Sequence, residues 1–539
     1  MKNIALRSRP IWAFIFTILL APTGGGALGM NPRLYDIGGP TLRDIWVDPS
    51  RGNDTNSGAS RTTALRTLAA GWGLVPGGTT LAETGYRIQL AGGDYPAVSL
   101  PEWMNNRRGA FHFPIILNSA DGRHAARLHG YLNISGSSYI YLLGLAIVTD
   151  RGYGGGGNAV HLEGCDHVLL RDCKLDGFDG QRNQPQETLK ANQCRELYVE
   201  GCDIGGGEWM ALDYVAVQGG HIVDSRIHDS GDDALVLKGG SAGIRVEANE
   251  VYGAGSIGLV VGQGTGLEYM VSPWLHYEAY DCKLVNNVVH NTANAGAGVR
   301  GGYNILIAYN TFYKVGLSAA GAPLFLTAQG PRSCDGDEAA CRTRQSEGGW
   351  GPTIAGQGGE WIPNRNVFVY NNILFNPSSF RTLYSHFSFA GPVQPPAATS
   401  IPSPSVSDQN LKIAGNIIWN GPANHPLGID AGTGCQPGHS GCSETRLRSD
   451  NQINVFEPQL LNPEKDDFRP APGGNVFQAM AFSIPNFPGG DRPSRPAVPE
   501  GVLSNAVPRD ADQTARTSTD PPGAYVRAKP RSPARPRSR

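Results

Sequence analysis

In HDSGDDALVLKGGS, residues 228–241, two adjacent carboxylates open a short apolar run and a lysine closes it. Asp232, Asp233 and Lys238 stand out in a chain of which only 17% is charged. Paired carboxylates can divide acid and base roles, one protonated and one not. Carboxylates can also hold a divalent cation with their hard oxygen donors, and a lysine crowded by such an ion gives up its proton more readily and suits a base. The competing reading is that the aspartates make turn hydrogen bonds and that the lysine is solvated. Asp213, in ALDYV, lies upstream, QETLKANQ adds Glu187 and Lys190, and AVHLEG adds His161 and Glu163. A second cluster is aromatic. GLEYMVSPWLHYEAYDC places Tyr269, Trp274, His276, Tyr277 and Tyr280 in one stretch. Such rings stack on flat ligand faces, or else pack the stretch onto its support.

These groups lie far apart along the chain, so the elements that position them decide whether they form a site. One unit recurs: alternating apolar residues, a small or amide residue, then an apolar pair. It reads VLLRDCKL at Cys173, LYVEGCDI at Cys202, HIVDSRI at Ser225, IRVEANEV at Asn249, KLVNNVV at Asn287, ILIAYNTF at Asn310, VFVYNNIL at Asn372 and LKIAGNII at Asn416. YIYLLGLAI at Leu145 is a weaker, earlier copy. The spacings are 28, 29, 23, 24, 38, 23, 62 and 44 residues. About 23 residues make three short strands and three turns, one winding of a parallel solenoid, with equivalent strands ~4.8 Å apart. An asparagine at a buried corner then satisfies itself along a stack of like residues. The shift from cysteine through serine to asparagine predicts a corner that changes from thiol to amide packing. The long spacings predict loops inserted at turns.

Strand alternation assigns faces. In ALVLKG, Leu235 and Leu237 point inward, so Val236 and Lys238 point out, with Asp232 and Asp233 at the turn. In ETLKANQ, Leu189 and Ala191 point inward, Lys190 out, with Glu187 near the turn. In AVHLEG, Val160 and Leu162 point inward, His161 and Glu163 out. In LDYVAVQ the pattern puts Val215 and Val217 inward, so Asp213 faces in unless the turn reorients it.

The flanks differ in kind. MKNIALRSRP followed by IWAFIFTILL and small residues has a secretory signal layout, expected over residues 1–29 and too short to span a bilayer. Residues 45–72 read as a strand, a polar turn and a short amphipathic helix that caps the open end of the solenoid. Residues 30–480 make the solenoid domain, closed by PQLLNPEKDDFRPAPGGN. Residues 481–539, rich in Pro and Arg with little to bury, read as a disordered tail. The nine cysteines fit an oxidising compartment: Cys334 with Cys341 and Cys435 with Cys442 are local loop staples, and the other five read as buried thiols. Asp335, Asp337 and Glu338, within the first staple, lack the spacing of a calcium-binding loop and read as surface acids. A net charge of −2 gives no field for nucleic acid, and no later segment is apolar for long enough to span a membrane.

The asparagine windings and the opening VDPSRGNDTNSGASRTTALRTLAAG resemble secreted right-handed parallel β-helix proteins of the pectate-lyase-like superfamily, over roughly residues 45–480. The resemblance implies an all-β, right-handed parallel β-helix with an N-terminal capping helix and inserted loops. SGDDALVLKGGSAGIRVEANEVYGAGSIGLVVGQG is similar to the polygalacturonase group, in which a GDD-x-(small/apolar)-K pattern precedes Gly-His-Gly. Here Gly255-Ser256-Ile257-Gly258 carries no histidine. The calcium-dependent lyases of the same fold imply acidic side chains on neighbouring windings around Ca²⁺, with a lysine or arginine as base. On that reading Lys238, Lys190, Asp232, Asp233 and Asp213 are catalytic. Glu187, Asp213, Asp232 and Asp233 hold Ca²⁺. His161, Tyr269, Trp274, His276 and Tyr277 meet the sugar. The expected protein is exported, extracellular or periplasmic, and monomeric, and it cleaves an acidic, uronate-containing polysaccharide by Ca²⁺-assisted β-elimination. Two alternatives stay open: a polygalacturonase-type hydrolase using Asp213, Asp232 and Asp233, and a non-catalytic carbohydrate-binding or structural β-helix.

Overall fold

The computed structural model describes residues 34–149, 157–177, 186–318, 323–351, 360–380, 385–429, 434–479, 481–489 and 502–527. Residues 36–539 form one unit, and the expected signal segment lies outside the described residues. Within that unit the chain winds repeatedly through three parallel sheets in a fixed order. Sheet A runs from Leu42–Val47 to Lys412–Ala414, sheet B from Gly93–Tyr95 to Gln452–Ile453, and sheet C from Met104–Asn105 to Phe387–Phe389. Each strand pairs with the equivalent strand one winding away, as Val160–Glu163 does with Leu189–Asn192. This is the expected parallel β-helix, an all-β fold whose crossovers take the right-handed sense that twisted parallel strands impose.

The repeat seen in the sequence is the bend between sheets A and B. Asp172, Gly201, Asp224, Ala248, Asn286, Tyr309, Asn371 and Gly415 each precede an anchor residue, and their φ values run from 51° to 71°. One left-handed residue turns the corner, which is why Gly, Asn and Asp dominate there; Ala248 and Tyr309 hold the same conformation against their side chains' preference. The next residue points inside. From Asn287 through Asn310, Asn372 and Asn416 to Asn451, each Oδ1 accepts from both the backbone N–H and the Nδ2 of the preceding asparagine, beginning with Asn249, at 2.8–3.0 Å. The ladder extends one winding beyond the sequence pattern, to Asn451. Towards the N-terminus it gives way as expected: the Ser225 N–H donates to Asn249, the Cys202 N–H donates to Ser225 Oγ, and the thiols of Cys202 and Cys173 face carbonyls of Leu170 and Leu142.

Inward residues form one continuous core that includes Val160, Leu162, Leu189, Ala191, Leu212, Tyr214, Leu235 and Leu237. The short helix Leu68–Gly73, capped by Thr67 Oγ1 accepting from the Ala70 N–H, buries Leu68 and Trp72 in the same core. Gly71 lies so close to Val47 that an added Cβ would stand 2.9 Å from Val47 Cγ2, which seats the helix tightly on the first winding. Cys334–Cys341 and Cys435–Cys442 are disulfides, and Cys165, Cys173, Cys194, Cys202 and Cys282 are buried thiols. Asp337 caps the helix Glu338–Glu347, a structural use of that acidic loop.

The C-terminal segment departs from its composition. Phe487 and Val507 bury against Leu306 and Phe368, and Ala524 joins a second apolar patch with Ile373 and Phe468. Lys283 Nζ donates to the Val502 carbonyl at 2.7 Å, and the Arg516 guanidinium donates to Asn286 Oδ1 at 2.8 Å while lying 3.9 Å over the Tyr309 ring. Residues 481–489 and 502–527 thus need no core of their own. They cover apolar strips that the solenoid leaves on its outside, a long-range complement that composition does not show. Among the described residues no helix is long and apolar enough to cross a membrane.

Candidate functional site

The outer face of sheet C is assembled by register. His161 pairs with Lys190, Lys190 with Asp213 and Asp213 with Val236, so these four make one outward column across four windings. Two residues along, Glu163, Asn192, Val215 and Lys238 make the parallel column. The inward assignments of Val160, Leu162, Leu189, Ala191, Leu235 and Leu237 hold. Asp213 is the exception. Its strand places Leu212 and Tyr214 in the core and turns Asp213 and Val215 outward. The LDYVAVQ run is apolar at both alternating sets, so period alone chose the wrong face. The bulky Tyr214 takes the inside, and Val217 also faces in only because left-handed Ala216 bends the chain between them.

Asp213 is fully buried although it faces outward. One of its oxygens takes a short charge-assisted hydrogen bond from Lys190 Nζ and lies 3.3 Å from Lys238 Nζ; the other, Oδ1, is buried with no hydrogen-bond partner. Lys190 also reaches Glu187 Oε1 at 3.5 Å, and Lys238 donates to Gln263 Oε1 at 2.9 Å. Gln263 Nε2 in turn lies 3.4 Å from Asp233 Oδ2, whose partner Oδ1 accepts from the Ile257 N–H at 2.9 Å. Glu187, Lys190, Asp213, Lys238, Gln263 and Asp233 thus form one chain of contacts. Asp232 is half-buried beside it: its N–H donates to the Trp209 carbonyl and its own carbonyl accepts from Ser256.

The charges perturb one another in a definite pattern. Burial works against the Lys190 ammonium, but Asp213 and Glu187 outweigh it, and the pKa is raised. Burial pushes the Glu187 carboxyl up, with Lys190 only partly opposing. Burial, and then the charge of Asp232, push Asp233 up as well. Burial lowers His161, whose Nε2 lies 3.1 Å from Asn192 Nδ2, so its imidazole is neutral at neutral pH. The lysine base with a lowered pKa that the sequence invited is not what this environment makes of Lys190.

The proposed Ca²⁺ ligands Glu187, Asp213, Asp232 and Asp233 do not fit the ion. Asp213 is held by two ammonium groups, which repel a divalent cation at the same distance. Asp233 is committed to a backbone N–H and an amide. Among the described residues these four carboxylates do not bring ligand atoms together, whereas Glu250, His290 and Asp466 do.

Of the five residues expected to meet a sugar, His161 and Tyr269 border this face. Tyr269 is 49% exposed and its carbonyl accepts from Gln193 Nε2, at the strands' C-terminal margin. Trp274, His276 and Tyr277 pack elsewhere, in a cluster with Tyr280, Tyr303 and Trp350. Burial, with Arg332 nearby, brings His276 down to about 4. That stretch is fixed from beneath by the buried Glu278–Arg332 pair at 2.9 Å. Its rings serve packing, as aromatic residues in a long insertion more often do. Three contributors were missed. Trp103, 42% exposed, packs edge-on to His161 at 6.3 Å. Trp209, 48% exposed, stands between Gln186 and Asp232 at the opposite margin from Tyr269. Gln263 links Lys238 to Asp233. Each lies at a turn next to a sheet C strand, which would have been the signal. Beyond Asp213 the face turns apolar, where Val236 and Val260 bury with Met210, Ile257, Ala295 and Leu326.

Residues 151–329 match the model of the right-handed β-helix region, so the winding that carries this face is of that class. No curated protein matches the chain. Among solved structures the chain is similar to a rhamnogalacturonan lyase, at 12% identity over 69% of this chain and 87% of the other with a TM-score of 0.43. It is similar to the pectate lyase Pel9A, at 14% identity over 64% and 79% with a TM-score of 0.37. It is also similar to PfbA, a surface adhesin of Streptococcus pneumoniae, at 13% identity over 62% and 79% with a TM-score of 0.35. At these identities and overlaps no substrate transfers from any of them.

Proposed function

We propose that this right-handed parallel β-helix protein is an exported, polysaccharide-active protein that lays an acidic, uronate-bearing chain across the windings of sheet C and cleaves it by β-elimination. The observation that carries the reading is the Lys190–Asp213–Lys238 arrangement, two ammonium groups held together by one buried carboxylate in the column of His161. Without Asp213 the two like charges would repel; with it the three groups hold two ammonium charges to one carboxylate on a face bordered by exposed rings. Such a site suits a sugar carboxylate, with Trp103, Trp209 and Tyr269 offering rings to sugar faces. The signal layout at residues 1–29 supports export.

In the reaction, the uronate carboxylate sits against Lys190 and Lys238, and their fixed charges stabilise the carbanion-like state as the C5 proton leaves. The neutral His161 imidazole accepts that proton at a ring nitrogen. The electron pair forms the C4–C5 double bond, the C4–O bond breaks, and the leaving oxygen takes a proton from Glu187, whose burial favours the protonated acid. The two lysines take the charge-stabilising role for which the sequence reading invoked Ca²⁺. Hydrolysis is the second reading, favoured by the raised pKa values of Glu187 and Asp233, either of which can serve as general acid.

The test is incubation of the purified protein with pectate, alginate and related uronate polymers, with and without chelator. The expected result is an unsaturated product absorbing in the ultraviolet, unchanged by chelator and reduced about 100-fold or more in Lys190→Met and Lys238→Met. New reducing ends without that absorbance establish hydrolysis instead. Retardation of a polymer in a gel with neither product leaves a binding protein and overturns cleavage. Loss of product with chelator overturns the lysine-based scheme.

A further inference from the structure

Sheet B carries a different outward column. His228 pairs in register with Tyr252, Tyr252 with His290 and His290 with Tyr313. The first three rings stack nearly flat, at 4.8 Å between His228 and Tyr252 and 5.0 Å between Tyr252 and His290. Glu250 stands beside this column, its Oε2 3.3 Å from Arg226 Nε. The hairpin formed by Leu460–Asn462 and Asp467–Pro470 docks across the end of the stack. Its Glu464 accepts from the Tyr313 hydroxyl at 2.6 Å and from Lys314 at 2.7 Å, and its Phe468 ring lies 5.1 Å from that of His290. The turn between the two strands ends on Asp466, in the left-handed region at φ 58°.

Docking brings three candidate ligands of two types to one point. A carboxylate oxygen of Glu250, one of Asp466 and a ring nitrogen of His290 lie within 4.8 Å of one another. His290 is only 4% exposed, and its Nε2 is buried with no hydrogen-bond partner, 3.6 Å from Glu250 Oε1 and beyond hydrogen-bonding reach. A buried imidazole nitrogen left unsatisfied is costly unless something else occupies its lone pair. Its other nitrogen, Nδ1, lies 3.1 Å from the Asn291 amide. With that amide turned so that its oxygen accepts the Nδ1 proton, Nε2 presents a lone pair towards Glu250 and Asp466, the tautomer that metal-bound imidazoles take. A cleft of about 260 Å³, lined in part by Asp203, Arg226, His228 and Tyr252, opens onto the same point.

We propose that Glu250, His290 and Asp466 form a binding site for a divalent transition-metal ion of the zinc class. One imidazole and two carboxylates make a mixed N/O set, which suits such an ion better than Ca²⁺ with its preference for oxygen alone. Tetrahedral ligands about 2 Å from zinc stand roughly 3.5 Å apart, so His290 and Glu250, at 3.6 Å, already have that separation, and Asp466, within 4.8 Å of both, completes the set with a small movement. The fourth position faces the cleft, open to water or to a ligand. The ion joins Asp466 of the closing hairpin to two strands of the solenoid, so binding also clamps that hairpin. The site is independent of the sheet C chemistry.

The test uses the untagged full-length chain, stripped with chelator and desalted, titrated calorimetrically with ZnCl₂ and followed by thermal unfolding. One ion per chain is expected, with a rise of a few degrees in Tm at saturation that CaCl₂ does not reproduce. His290→Phe keeps a ring against Tyr252 and Phe468 but removes the nitrogen, and Asp466→Asn keeps a residue tolerant of the left-handed turn. Each should weaken Zn²⁺ binding at least tenfold while leaving the metal-free protein folded. No binding by the wild-type chain, or binding unchanged in both variants, overturns the proposal.

Discussion

The outer faces of sheets C and B obey one register rule and do opposite things with it. On sheet C, Lys190 and Asp213 follow one another directly in a single column, so opposite charges meet across ~4.8 Å and neutralise. On sheet B the equivalent column is filled by His228, Tyr252 and His290, whose rings stack, and the charges of Asp203, Arg226 and Glu250 are moved to the column beside it. Burial differs in step: Asp213 is wholly enclosed, whereas the Glu250 side chain keeps 20% of its surface. The solenoid turns residues some 23 apart into lateral neighbours, so what each face can do depends on how one column is filled. Enclosure then decides how much each ion pair matters.

The comparison breaks most visibly at Asp213. Asp213→Asn leaves two half-buried ammonium groups facing each other with only Glu187, 3.5 Å from Lys190, as counter-charge, and stability should fall by about 3 kcal/mol, read from denaturant unfolding. Glu250→Gln removes a carboxylate from the more open Arg226 pair and should cost about 1 kcal/mol or less in metal-free protein. Equal losses at the two positions would mean that enclosure does not set the difference between the faces.

How far these faces were legible depends on the contacts that generate them. The windings, the inserted loops and the thiol-to-amide corner were readable, because the left-handed bend and the buried residue after it both restrict residue type at a fixed place in each repeat. The outward set was readable for Lys190, Lys238 and His161, whose strands alternate cleanly between apolar and polar. It failed at Asp213, where Leu212, Tyr214, Val215 and Val217 offer two apolar registers and the bend at Ala216 decides between them. Trp274, His276 and Tyr277 were misplaced because an aromatic run has the same composition whether it faces a ligand or packs against Tyr303 and Trp350. The Glu250, His290 and Asp466 cluster was invisible, since Asp466 joins it only when a hairpin more than a hundred residues downstream folds back. The same long-range docking hid the packing of residues 502–527.

The second contrast concerns pH. On sheet B, burial works against a charged His228, but hydrogen bonds from its two nitrogens to Asp203 and Asp229, each 2.8 Å long, more than compensate and bring the pKa up to about 9. A folded-state pKa above the unfolded value of about 6.5 contributes stability that is full below pH 6.5 and is lost as pH rises through 9. Its size is up to about 3 kcal/mol, because the imidazole is mostly enclosed. Wild-type unfolding followed between pH 6 and 10 should show that decline, and His228→Gln should flatten it. On sheet C, burial shifts His161 down, so its contribution has the opposite sign: it rises as pH climbs towards the unfolded value of about 6.5 and is flat above it, and His161→Gln should leave the decline between about pH 8 and 10 as it is. A slope that survives His228→Gln would place the titrating group elsewhere.

The smallest expected effect isolates the stacking itself. Tyr252 lies between His228 and His290 with both ring planes within 15° of parallel. Tyr252→Leu keeps an apolar side chain of moderate size at the same register position and removes the two ring contacts, so it should lower stability by about 1 kcal/mol. Because the lost contacts lie on sheet B, the rate of any product formed on sheet C should not change. Zn²⁺ affinity should fall only slightly, since none of the three ligand atoms is touched, whereas the loss of the ring beneath His290 relaxes its orientation. A large fall in sheet C activity on Tyr252→Leu would show that the two faces communicate through the shared core, and each column could no longer be treated as an independent device.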